Sequence, residues 1–283
     1  MSKNETAESF VQGSRELPVM PPVATEVIRR AEDPDTDLAT ISQLISRDAS
    51  LAVRVLKIAN SSFYSMPREV ETLHQAIVLL GYSTLRSIVV AASMKDVFAH
   101  FGLAERLLWE HAVGAGVAAS ALARIIGGLS PDEVFVGGLL HDIGKLVMHS
   151  QAEDRYQQVL QRVYADEQTS VEAELETFGF DHSDVGLHLL RRWKLSERLS
   201  CAVGSHHDLS RADAVDGAKP LAALLQVADR LCLREGIGRR KPEPELDILE
   251  CAGAELLGVG LADVEDLVAS FQDQYEQERQ VFG

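Results

Sequence analysis

The sequence predicts an all-α protein, and two observations support that prediction. Apolar residues recur at helical spacing, as Leu51, Val55 and Ile58 do, whereas no segment shows the sustained apolar–polar alternation that is typical of strands. Residues that favour helix starts and stops stand between the apolar segments. We therefore predict about five helices in a first block, followed by a second helical block.

The first helix of the first block opens at a Pro-Pro pair, because the first helical positions need no N–H partner. Asp35 and Asp37 are candidate caps for the second helix. Gly81 is a natural C-terminal stop for the fourth helix. The five predicted helices cover residues 23–30, 38–46, 51–60, 72–81 and 83–101.

The second block begins with a long helix, rich in Ala and Gly, over residues 105–126. The run Ser130-Pro131-Asp132-Glu133 can form a capping box, so a continuous helix is predicted over residues 134–149. Thr169-x-x-Glu172 and Asp181-His182-Ser183-Asp184 mark two further starts. The remaining predicted helices cover residues 195–206, 219–234, 244–257 and 261–280.

The chain divides along its length into four predicted segments. Residues 1–16 show no clear period and are expected to be loose. Residues 17–105 form the N-terminal helical lobe, residues 106–241 form the second lobe, and residues 242–283 form acidic C-terminal helices.

The composition excludes several classes of protein. The 283 residues are 46% hydrophobic and 25% charged, which is an ordinary globular balance and not that of a disordered chain. A net charge of −16 gives no overall attraction for nucleic-acid phosphates or for an anionic membrane surface. The longest apolar runs fall far short of the roughly 18 residues that span a bilayer. We expect no nucleic-acid partner and no membrane association.

The cysteines and the first residues indicate the compartment. Cys201, Cys232 and Cys251 are odd in number and form neither a CxxC motif nor a paired framework, so we interpret them as core residues. The polar start of the chain has no apolar segment of the kind found in secretory signals. The expected location is cytoplasmic.

The strongest local motif is Leu140-His141-Asp142-Ile143-Gly144-Lys145. A His and an Asp are adjacent in an otherwise apolar helix, and neither suits a fully buried position without a partner. A divalent metal ion would satisfy both side chains. A core His bonded to a neighbouring helix, beside a solvated Asp, explains the dipeptide equally well. Seven of the nine histidines fall between residues 111 and 207.

The order of further ligand-type residues favours the metal hypothesis. In chain order they are His111, His141, Asp142, His182, His206, His207 and Asp229. This order resembles that of the HD metal-dependent phosphohydrolase superfamily. The resemblance implies that the first three and the last are core metal ligands, and that the other three are the extra ligands of binuclear members. It also implies that Lys145 can face a phosphate. Such a site holds one divalent ion or two, and its ligands do not distinguish Fe, Mn, Zn and Ni.

Motifs in the first block narrow the resemblance. Residues 17–93 contain IS-RD-x-SL, L-x-x-AN-S-x-FY and A-x-x-LLG runs, which together with the HDIGK run resemble the HDOD family, the "HD-related output domain" of bacterial signalling proteins. The resemblance covers about residues 15–235. It implies a five-helix N-terminal lobe packed on an HD-like lobe, and a regulatory role without an established general reaction. Many members have lost metal ligands, whereas this chain keeps the whole set.

Two functional hypotheses follow. The first is a signal-transduction protein that acts through a protein partner and retains a metal-binding site. The second is a metal-dependent phosphohydrolase or phosphodiesterase that acts on a phosphate-containing ligand. In this hypothesis Asp142 bridges or ligates the metal ions and Lys145 binds a phosphate group. Related cyclic-dinucleotide phosphodiesterases carry a Gly-Tyr-Pro loop after the paired histidines, and residues 206–220 contain no such tripeptide. We therefore prefer the first hypothesis.

Overall fold

A computed structural model describes most of the chain. The described residues are 5–13, 17, 20–31, 36–61, 64, 69–98, 103–165, 168–239 and 241–282. Within these ranges the regular structure is entirely helical and contains no strand, so the all-α prediction is confirmed. Of the two predicted caps of the second helix, Asp37 accepts a hydrogen bond from the backbone N–H of Thr40, and Asp35 lies outside the described residues.

Fifteen α-helices and one short 3-10 helix, Leu209–Ala212, lie in the described ranges. The α-helices are α1 Ala7–Gly13, α2 Pro22–Ala31, α3 Leu38–Ser46, α4 Ala49–Ala59, α5 Leu73–Phe98, α6 Leu103–Ile126, α7 Pro131–Leu140, α8 Ile143–Gln151, α9 Glu153–Ala165, α10 Ser170–Phe178, α11 His182–Arg192, α12 Glu197–Val203, α13 Ala218–Glu235, α14 Ala252–Leu257 and α15 Leu261–Phe282.

The chain forms two compact units. The first unit comprises Met1–Val19 and Leu140–Ala222, and the second comprises Met20–Leu139 and Ala223–Gly283. The first unit therefore contains α1, α8 to α12 and the 3-10 helix. The predicted segments 17–105, 106–241 and 242–283 are divisions along the chain, and their limits differ from those of the compact units.

In the second unit, α5 packs against α2, α3 and α4. The helix bends at Gly81, whose φ of 80° and ψ of 172° lie outside the helical region, as its predicted role of helix stop requires. The two arms of α5, Leu73–Tyr82 and Thr84–Met94, are bent by 115° relative to each other, and among the described residues they are the one helix pair whose combined length and hydropathy would suit a membrane span. No single helix in the described part of the chain is long and apolar enough to cross a membrane.

The acidic C-terminal helix α15 packs along α6 in the second unit. Val264, Leu267 and Phe271 are buried on one side of α15, whereas Glu265 and Asp273 are exposed. This distribution follows the helical period, so the negative charge of α15 lies mainly on its solvent-facing side. The predicted helix over residues 244–257 is shorter than expected and begins only at Ala252.

In the first unit, α11 packs against α1, α8 and α12. The prediction that residues 1–16 are loose was wrong for Ala7–Gly13, because α1 is anchored by buried Phe10 and Val11. The Phe10 ring lies 5.4 Å from the Phe180 ring, and Arg192 donates a hydrogen bond to the carbonyl of Val11. Two apolar positions in a polar stretch are too few to reveal a helical period.

Candidate metal site

The His-Asp pair lies at a break between two helices. Helix α7 ends at Leu140 and α8 begins at Ile143, so the prediction of one continuous helix over residues 134–149 was wrong. In a continuous helix consecutive side chains diverge by about 100°. At this turn, by contrast, His141 Nε2 lies 3.5 Å from Asp142 Oδ2. Both residues are buried.

Glycines allow α8 to approach the start of α11. A Cβ atom at Gly144 would lie 1.9 Å from the carbonyl oxygen of His182 and 3.0 Å from the backbone nitrogen of Gly186. Only glycine fits such a contact. As a result, His182 Nε2 lies 3.1 Å from Asp142 Oδ1.

The start of α11 is formed as the sequence predicted. Asp181 accepts hydrogen bonds from the backbone N–H groups of Ser183 and Asp184, and the Asp184 side chain completes the capping box. The other predicted start is also confirmed, since Thr169 and Glu172 form a capping box on α10. The Asp181 cap determines where α11 begins, and therefore where His182 lies.

The paired histidines follow α12. His206 is fully buried, and its Nδ1–H donates to the carbonyl of Val203 at 2.6 Å, which leaves the lone pair of the neutral ring on Nε2. Burial, together with His141 and His182, lowers the pKa of His206 to about 3, so the ring is neutral at physiological pH. His207 is exposed, and its Nε2 lies 2.9 Å from His182 Nε2.

Four potential ligand atoms therefore converge within the first unit. One atom each from Asp142, His182, His206 and His207 lies within 4.8 Å of the other three. We call these four residues the donor cluster. Imidazole nitrogen with carboxylate oxygen is a donor set that suits Fe, Mn, Zn or Ni, so the residues present fit a divalent ion. An ion bound there would supply Lewis acidity and an activated water.

Positive side chains surround the carboxylate of Asp142. Lys145 Nζ lies 2.7 Å from Asp142 Oδ2. Burial alone would raise the pKa of Asp142, but His141, Lys145 and His182 outweigh it and hold this pKa well below the usual range. Asp142 is therefore a carboxylate, the form that binds metal ions.

Sequence reasoning missed Glu174, which lies on α10 and is fully buried. Its Oε2 is 2.6 Å from His182 Nδ1. Burial alone would lower the pKa of His182, but the Glu174 and Asp142 carboxylates reverse this effect and raise it to about 9. The signal in the sequence was an acidic residue four positions before the apolar Phe178, on the face of α10 that is buried.

Three predicted ligands lie outside the donor cluster. His141 is next to Asp142, whereas His111 and Asp229 lie in the second unit and pair with each other. His111 on α6 places Nε2 3.0 Å from Asp229 Oδ1, on α13. His111 Nδ1 lies 3.1 Å from the carbonyl oxygen of Ile237. Both side chains are buried. Their role as metal ligands stays a prediction.

Comparison with known proteins identifies the family. Residues 17–209 match the HDOD domain family, so the chain belongs to it. The chain is similar to a solved HDOD domain protein of unknown function from Geobacter sulfurreducens, with 27% identity, a TM-score of 0.80, and coverage of 97% of this chain and 96% of that one. It also resembles a candidate phosphohydrolase from Shewanella amazonensis SB2B, with 25% identity, a TM-score of 0.75, and coverage of 96% and 97%.

A curated relative, an uncharacterized protein of Treponema pallidum (strain Nichols), is 28% identical over 234 residues. The match covers 79% of this chain and 43% of that protein, so the chain spans less than half the length of this relative.

Proposed function

We propose that this chain is a signal-transduction protein that binds a divalent metal ion at the donor cluster and acts through contacts with a protein partner. The convergence of the four ligand atoms within 4.8 Å is the observation that carries the metal-binding part of the proposal. Membership of the HDOD family supports the regulatory part.

The short distances inside the donor cluster favour a shared cation. His182 Nε2 faces His207 Nε2 at 2.9 Å and Asp142 Oδ1 at 3.1 Å. Two imidazole nitrogens and a carboxylate oxygen repel one another unless a proton or a metal ion lies among them. A divalent ion can take the place of that proton and bind all of these atoms together.

A second candidate function is that of a metal-dependent phosphohydrolase, and Lys145 is the observation that favours it. The ammonium group of Lys145 contacts the carboxylate of Asp142. The Lys145 side chain is 19% exposed, so an anion arriving from solvent can reach its ammonium group. The candidate phosphohydrolase of Shewanella amazonensis supports the same function by similarity.

Metal analysis tests the shared part of both functions. The protein is purified without chelators, and its metal content is measured by mass spectrometry for the wild type, the double variant His141→Ala/Asp142→Ala and His188→Ala. His188 lies on α11 outside the predicted ligand set, so it is the matched control. We expect stoichiometric metal in the wild type and the control, and its loss in the double variant. A metal-free wild type would overturn the metal site.

Two assays separate regulation from catalysis. Turnover is measured with phosphomonoesters, cyclic nucleotides and cyclic dinucleotides, and crosslinking in cells identifies proteins whose direct binding is then measured after purification. The proposal expects no turnover, and a partner whose affinity falls in the double variant. Turnover that disappears in Lys145→Met would instead establish the phosphohydrolase.

A further inference from the structure

We infer that Glu174 is a positioning residue for His182, which holds the imidazole in the tautomer and orientation that present Nε2 to the donor cluster. The inference rests on the proposed function for the presence of a metal. It goes beyond that function by assigning a role to a residue outside the predicted ligand set.

The hydrogen bonds of Glu174 fix His182 at two points. Oε2 of Glu174 lies 2.6 Å from the ring Nδ1 of His182 and accepts a hydrogen bond from the backbone N–H of the same residue at 2.8 Å. One carboxylate oxygen therefore holds the backbone and the ring together. When a metal ion takes the place of the proton on Nε2, the proton that Glu174 holds on Nδ1 leaves the ligand lone pair on Nε2.

Glu174 is itself held in place. The hydroxyl of Tyr156, on α9, lies 3.3 Å from Oε1 of Glu174. Burial, with the Glu174 and Asp142 carboxylates, raises the pKa of Tyr156 well above its usual value, so the phenol keeps its proton and remains a donor. Tyr156, Glu174 and His182 thus form a buried chain of hydrogen bonds that leads to the donor cluster.

A carboxylate behind a histidine ligand is a recurring arrangement at metal sites. It orients the ring and increases its basicity, and removing such a partner typically weakens metal binding by roughly 10–100-fold. A buried Glu–His pair can also serve stability alone. The two roles differ in their effect on metal affinity and on the proton at Nδ1, and the experiment measures both.

The test titrates the full-length, metal-depleted protein with Co²⁺ and follows the d–d absorption. Glu174→Met, which cannot accept the Nδ1–H, should bind Co²⁺ about 10–100-fold more weakly than the wild type. Glu174→Gln should restore much of that loss, because its amide oxygen still accepts the hydrogen bond. Glu176→Gln changes an exposed carboxylate on the same helix, one that pairs with Arg162 on α9, and should leave the affinity within about twofold.

NMR of ¹⁵N-labelled histidine supplies a readout that does not need the metal. The wild type and Glu174→Gln should show a slowly exchanging, downfield Nδ1–H of His182, and Glu174→Met should lose it. If Glu174→Met does not fold, an affinity of Glu174→Gln between those of the wild type and His182→Ala still supports the inference.

Two results would overturn it: a folded Glu174→Met protein with wild-type Co²⁺ affinity, or a wild type without the Nδ1–H. A wild type that binds no Co²⁺ but shows the Nδ1–H contradicts the proposed function and leaves the positioning of His182 by Glu174 supported.

Discussion

At the scale of single residues, hydrogen bonds behind the donor cluster determine which atoms can bind a metal. His206 donates from Nδ1 to a backbone carbonyl, and His182 places Nδ1 against Glu174. Both rings therefore direct Nε2 toward the cluster. Asp142 contributes a carboxylate that its positive neighbours keep ionised. Residues outside the predicted set, Val203 and Glu174, therefore orient two of the predicted ligands.

The charge of Asp142 yields the first prediction. Asp142→Asn keeps the shape of the side chain but removes the negative charge that attracts a cation, so metal affinity should fall at least about tenfold. Isothermal titration with Mn²⁺ measures the change. Asp213→Asn is the control, since Asp213 is exposed and pairs only with Lys219 among the described ion pairs. Equal affinity in Asp142→Asn and the wild type would remove Asp142 from the ligand set.

At the scale of elements, close helix packing creates the site. Gly144 brings α8 against the first residue of α11, and this contact places Asp142 beside His182. Part of this could be read from the sequence, because the capping residues Thr169 and Asp181 mark the starts of α10 and α11. The break in the helix at His141 could not be predicted from the sequence, because the pattern of apolar residues continues through it.

The packing of Gly144 yields the second prediction. Gly144→Ala places a methyl group against backbone atoms that cannot move aside, so the free energy of unfolding should fall by about 3 kcal/mol. Urea denaturation measures the change. Gly13→Ala is the control, because nothing lies within 4 Å of its added Cβ, and it should be neutral or stabilising by up to about 1 kcal/mol. Similar stabilities for both variants would refute the close approach.

Helix α1 yields the third prediction. Phe10→Ala removes a buried ring from the contact with Phe178 and Phe180, and should reduce the free energy of unfolding by about 3 kcal/mol. Gln12→Ala, on the exposed side of α1, should change it by less than about 0.5 kcal/mol. Hydrogen exchange of the α1 amides provides a local measurement. Rapid exchange of these amides in the wild type would contradict the docked helix.

At the scale of the whole molecule, the charge is unevenly distributed along the chain. Residues 243–283 contain 11 acidic residues and one basic residue, so they contribute −10 of the net charge of −16. Helix α15 accommodates this charge by exposing acidic residues and burying an apolar stripe. Most of the net negative charge of the chain therefore lies in its C-terminal region, outside the donor cluster.

The apolar stripe yields the fourth prediction. Phe271→Ala should lower the free energy of unfolding by about 3–5 kcal/mol, because Phe271 is fully buried. Asp273→Asn, on the exposed side, should change it by less than about 0.5 kcal/mol. Thermal and urea denaturation of both variants measure the difference. A larger effect for Asp273→Asn would mean that charge, rather than apolar packing, holds α15.

The sequence alone determined the helical class, the family and the candidate ligands, because these depend on periodicity, on local caps and on the order of residue types. The tertiary structure decided what the order could not: the turn at His141 and Asp142, the docking of α1, and the place of Glu174 behind His182. Each of these depends on backbone geometry or on contacts between separate helices, and the spacing of apolar residues along the chain records neither of them. Glu174 illustrates the reason best, since a buried carboxylate is tolerated only where a folded partner such as His182 reaches it.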